Sequence, residues 1–80
     1  MDIIKKALSQ TDPSNENLLS CLEHVKNNGD VDVVKFDGLR IGSGYPVFIS
    51  FAENKKKEMI RADENNLKVA LTKVLTKYIE

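Results

Sequence analysis

The pattern that most restricts this chain lies in residues 63–80, where Leu67, Ala70, Leu71, Val74, Leu75 and Tyr78 recur at intervals of three and four. That spacing places all six on one face of an α-helix and sets Lys68, Lys73 and Lys77 on the exposed face. Two short runs rich in β-formers, 45–51 and 58–62, stand just before it. The helix is therefore expected to close over a small antiparallel sheet.

The remaining segments extend this reading. Ile3, Ile4, Ala7 and Leu8 line one side of a helical turn within 1–10, too short to hold without tertiary contacts. Thr11, Asp12 and Pro13 form a start signal, with Asp12 as cap and Pro13 at the first helical position, for a helix over 13–28. Leu18, Leu19, Leu22 and Val25 form its stripe with Cys21 at the flank, and Asn28-Gly29 supplies the stop. Residues 31–36 read as a strand. Asp37-Gly38 is a hairpin-type dipeptide, followed by Leu39-Arg40-Ile41, and Gly42, Ser43 and Gly44 suggest a wide turn or bulge. In 45–51, Tyr45, Val47, Ile49 and Phe51 share one face, and Pro46, Phe48 and Ser50 the other. Asp63 or Asn65 is positioned to cap the last helix.

The whole reads as a single α+β domain over 1–80, with a three-stranded meander over 31–62 and a last helix over 64–79. The order is α-β-β-β-α after the N-terminal turn. Because Phe48, and the two sides of 31–36, place apolar area on both faces of the sheet, a helix is expected on each face.

Totals narrow the classes. Eighty residues supply one core and no second. Twelve basic and twelve acidic residues cancel, so the net field does not favour polyanions and any such site is local. A single cysteine, Cys21, rules out an internal disulfide framework and suits a reducing compartment. The first ten residues are too charged for a signal segment, and no run is long enough to span a bilayer, so a soluble cytoplasmic protein without membrane partners is expected.

Candidate chemistry is sparse. Gly38, Gly42 and Gly44 resemble a phosphate-cradling loop, but they lead into a strand with no Gly-Lys-Ser or Gly-Lys-Thr following, so a turn is the expectation. Cys21 and His24 are one helical turn apart, the spacing of a thiolate pair, without a second histidine or oxyanion donors. A packing Cys21 and a His24 near the helix C-terminus are expected instead. One Cys and one His do not make a metal site. The pairs Asp63 and Glu64, and Asp30 and Asp32, suit capping and strand-edge roles. No catalytic, metal or cofactor site is expected, and the chain reads as a non-enzyme.

The candidate partner or polyanion surface is Lys55, Lys56, Lys57, Arg61, Lys68, Lys73 and Lys77. It belongs to a gradient from an acidic N-terminal part to a basic C-terminal part, which packing of the two halves against each other, or a bipolar binding surface, explains.

Over residues 15–79, five segments carry a family likeness: Asn17-Leu18-Leu19-Ser20-Cys21-Leu22-Glu23-His24-Val25; Val33-Val34-Lys35-Phe36; Val47-Phe48-Ile49-Ser50-Phe51; Ala62-Asp63; and Leu67-Lys68-Val69-Ala70-Leu71. The set resembles the phage ABA sandwich domain in its apolar spacing and in the Ala-Asp before the last helix. The resemblance implies a phage or prophage origin, helices on either side of an antiparallel sheet and no assigned enzymatic activity. The expected function is a small protein-binding module that occupies a host protein, its sharpest form being an inhibitor of a defence system or toxin. The alternative is nucleic-acid binding through the 55–57 hairpin and the basic face of the last helix, and a homodimer fits a domain this small.

Overall fold

A computed structural model of the chain describes residues 2–36 and 44–80. The element order is α1 (Asp2–Leu8), α2 (Asn15–Asn27), β1 (Val31–Val34), β2 (Tyr45–Ser50), β3 (Ile60–Glu64) and α3 (Leu67–Tyr78). The strands form one antiparallel sheet in the order β1-β2-β3. The α+β class and the meander stand as read from the sequence, with the N-terminal turn forming a helix of its own. The expected Asp37-Gly38 hairpin and the turn at Gly42 and Ser43 lie outside the described residues.

Several boundaries differ from the sequence reading. Helix α2 starts after Ser14, whose Oγ accepts the Asn17 N–H at 3.1 Å, so Ser14 is the cap in place of Asp12. Asp12 instead accepts from Lys68 Nζ at 2.7 Å. The helix ends as expected at Asn28-Gly29: the Gly29 N–H reaches Lys26 O, the Asp30 N–H reaches Val25 O, and Gly29 takes φ +89°. These two bonds close a Schellman turn, which needs a left-handed residue.

Strand β3 begins two residues later than expected and runs through Asp63. The segment after β2 forms a 3-10 turn, Glu53–Lys55, with Lys56 left-handed at φ 52°, and only then extends. Asp63 is thus a strand residue, and the cap of α3 is Asn66, whose Oδ1 accepts the Val69 N–H at 3.2 Å.

The cross-strand register sorts the sheet faces. Val34, Val47 and Ala62 form one row and Asp32, Ile49 and Ile60 the next, on the same face. Val47 and Ile49 are fully buried there against Ile4, Leu18, Val25, Leu71, Val74 and Leu75 from the three helices. On the other face the rows are Val31 with Ser50, and Val33 with Phe48 and Arg61. Among the described residues no helix covers this side.

The expectation of a helix on each face is therefore corrected: all three helices lie on one. The Cα envelope measures 36 × 31 × 17 Å, and its thin dimension admits two layers, whereas a third would need about 20 Å between the outer layers. Apolar periodicity on both sides of a strand reports what each face carries, not whether a helix lies against it. Within the helix layer, Leu19 is 40% exposed and Cys21 takes the inner position, the reverse of the expected stripe. The short α1 is held by Ile4 and Ala7, which join the core.

Candidate functional site

The Schellman turn delivers Asp30 into the fold. Its side chain is wholly enclosed, and Oδ2 accepts from Lys55 Nζ and from the Tyr78 hydroxyl, both at 2.7 Å. Oδ1 accepts the Ala52 N–H at 3.0 Å. Lys55 also donates to the Asn28 carbonyl at 3.1 Å, and Asn28 Nδ2 donates to the Tyr78 oxygen at 3.0 Å. The Tyr78 ring stacks on Phe51 at 5.6 Å, and Lys57 Nζ lies 5.3 Å from the Phe51 centroid. Three distant parts of the chain thus meet on one carboxylate.

Charge and burial set the state of this cluster. Burial alone would raise the Asp30 carboxyl, but the hydrogen bonds from Lys55, Ala52 and Tyr78, with the Lys55 charge, outweigh it and hold the group below the usual carboxylate range. Burial also raises the Tyr78 phenol, opposed by the Asn28 bond and reinforced by Asp30 and the charge of Asp32. All the hydrogen-bonding groups converging on Asp30 are satisfied by one another. The arrangement is a structural lock that ties the end of α2, the segment after β2 and the end of α3 together.

Asp32 behaves differently. It points toward the helix layer beside Ile49, on the edge strand β1, and its Oδ2 is buried without a hydrogen-bond partner among the described residues. Burial, then the charge of Glu23, raise its carboxyl, with Lys26 opposing. An inward charge on an edge strand discourages pairing with another chain's strand. Its ionised form costs stability as pH rises from the unfolded value, about 3.9, through the raised folded one. Asp32→Asn is accordingly expected to gain about 1 kcal/mol at neutral pH, with the gain vanishing in acid. Urea melts at both pH values check this, and equal stability of variant and wild type at neutral pH would refute it.

The remaining sequence candidates are placed as follows. Cys21 is buried, its thiol is pushed up by burial, and its Sγ donates to the Asn17 carbonyl at 3.3 Å, with no hydrogen bond to His24. Of the seven basic residues, Arg61, Lys73 and Lys77 come together along a groove between β3 and α3. Lys55 is committed to Asp30, Lys57 to Phe51, Lys56 holds the left-handed turn position and Lys68 pairs with Asp12. The expected patch is thus divided. No cluster of three or more metal-ligating side chains occurs among the described residues, and none of the described helices is long and apolar enough to cross a membrane.

Among the described residues, the sheet face without a helix is a feature that the sequence left unassigned to a site. On it Val31 is 59% and Val33 37% exposed, and Val33 lies beside a half-buried Phe48, while Phe36, 68% exposed, makes an edge-to-face contact at 5.9 Å with Tyr45, which lies on the Val47 side of the sheet. Comparisons of the chain with protein-family models, curated proteins and solved structures found no match.

Proposed function

We propose that this chain is a non-enzymatic protein-binding module, encoded by a phage or other mobile element, that acts by occupying a protein of its host. The sharpest form is an inhibitor of a defence system or toxin. The observation that carries the reading is the sheet face without a helix, on which Val31, Val33 and Phe48 present apolar area among the described residues. Contiguous apolar surface of this kind is characteristic of interaction sites, and a flat β surface suits a protein partner better than a small molecule. The nucleic-acid alternative draws less support, because Lys55 and Lys57 are engaged within the fold, Lys68 and Lys73 are ion-paired, and the groove that gathers Arg61, Lys73 and Lys77 also carries Asp63, Glu64 and Glu80.

Val31→Glu combined with Val33→Lys alters this face at two exposed positions and is expected to change stability by under about 1 kcal/mol. Wild type is expected to retain a host-lysate protein that the double variant loses. Equal capture by both would remove the surface from the proposal, and no capture above background would remove the function. Titration of labelled DNA and RNA at low salt separates the alternative, since saturable binding there would favour it.

A further inference from the structure

Strand β1 is paired on one side. The Lys35 N–H reaches Pro46 O, so in the register of β1 with β2 the backbone groups of Val31 and Val33 also point at β2, and those of Asp32 and Val34 point away from it. No group among the described residues bonds to the outward N–H or C=O of either residue.

Helix α2 overlooks this edge. Its buried stripe, Leu18, Cys21, Leu22 and Val25, faces the core, and α1 lies on the flank that carries Cys21 and Asn17. The other flank carries Leu19, Glu23 and Lys26, spaced by four and three and all exposed. The charges of Glu23 and Lys26 both act on the Asp32 carboxyl, which sets this flank above β1. Two carboxylates therefore stand against one cation here, and neither Glu23 nor Lys26 forms an ion pair among the described residues.

The orphaned Oδ2 of Asp32 decides what suits the edge. A side chain opposite Asp32 on an added strand points toward the helix layer, into the corner between Asp32 and Glu23. An apolar group there leaves the carboxylate unpaired, an acidic one repels it, and a Lys or Arg satisfies it. A second copy of β1 offers Val34, Phe36 or another Asp32 at that position, and so fails the requirement.

We infer that the outer edge of β1, overlooked by α2, accepts an extended segment of a partner protein that carries a basic side chain opposite Asp32. This rests on the reading of the chain as a protein-binding module and adds to it the chemistry of the bound segment. Backbone hydrogen bonds to Asp32 and Val34 supply affinity, and the basic side chain between Asp32 and Glu23 supplies selectivity, since the same carboxylate rejects strands that lack one. Leu19, one turn back from Glu23, suits an apolar residue two positions from the basic one, because four helical residues rise about 6 Å and alternate strand residues lie about 6.8 Å apart.

The test uses a fluorescein-labelled peptide of about eight residues, alternating Thr with Val and carrying one Lys at a central Val position, read by anisotropy at low salt. Saturable binding is expected, weakened by about tenfold when Glu replaces the Lys, and by about tenfold in the Glu23→Gln with Asp32→Asn variant. That variant keeps its fold, since Glu23 is exposed and Asp32→Asn relieves a buried orphan. It is expected to bind the peptide with Val in place of Lys no worse than wild type does, which ties the loss to the basic side chain. N-methylation of one alternate set of peptide amides is expected to abolish binding and methylation of the other set to preserve it, a signature of strand pairing that general charge attraction does not give. Absence of saturable binding, equal affinity for the Lys and Glu peptides, or equal effects of the two methylation sets would overturn the inference. The two readings fail separately. No peptide binding while wild type still retains a lysate protein strikes the inference alone, whereas peptide binding without any retained protein strikes the module reading and leaves the preference of the edge standing.

Discussion

Asp30→Ala is expected to destabilise the fold by about 2–4 kcal/mol at neutral pH, a large share of the roughly 4–12 kcal/mol typical of a chain this size. The substitution removes the acceptor of the Tyr78 hydroxyl and of the Ala52 N–H, and Tyr78 is only 5% exposed. Those two orphaned donors account for most of the loss. Lys55 contributes less, because its side chain is 35% exposed and regains water when released. The effect carries a definite pH sign. Asp30 has a depressed folded pKa, so its contribution is fully present above the unfolded value of about 3.9 and declines as pH falls through the folded one. Urea melts of wild type and variant should therefore converge in acid. An Asp30→Ala melt superimposable on wild type at neutral pH would dismiss the lock.

Leu71→Asp is expected to abolish folding altogether. Leu71 is fully buried in the middle of α3, packed in the cluster that holds Val47 and Ile49. Truncation to alanine alone costs about 2–5 kcal/mol at such positions, and a carboxylate there adds the penalty of a buried, unpaired charge. The sum meets or exceeds the whole stability available. Loss of amide dispersion in the proton NMR spectrum is the expected readout, with Leu71→Ala as a partly destabilised intermediate. A dispersed spectrum for Leu71→Asp would mean that α3 does not close the core.

Helix α3 is legible in the sequence because of its local physics. Six apolar residues at helical spacing have one way to be buried together, and five of them are buried, with Leu67 partly so. The stop at Gly29 was equally legible, because a left-handed turn position draws on few residue types. Helix α2 was less so. Leu19 and Cys21 sit on either side of the stripe centre, and a modest rotation of the helix decides which is inside.

The layer arrangement needed information that periodicity does not hold. Val31, Val33 and Phe48 mark an apolar face without saying that no helix of the described residues covers it. The lock was hidden for another reason: its members lie 25 and 48 residues apart, and no short motif links them. A hint existed at Asp30 itself. The residue after a left-handed helix stop is commonly apolar and packs back on the helix, so a carboxylate there signals a polar partner brought from afar. Arg61, Lys73 and Lys77 were singled out by charge, but their gathering along one groove depends on α3 crossing beside the sheet edge.

The 48-residue reach from Asp30 to Tyr78 has a bearing on biosynthesis. A ribosome adds about 5–20 residues each second, and the earlier helices and the meander emerge before their covering partner has been translated. Until residues 67–78 follow, Val47 and Ile49 lack their lid and Asp30 its phenol. The nascent polypeptide is thus obliged to wait and then fold late, in one step. Translation halted before that segment would release a fragment fit for chaperones or proteases.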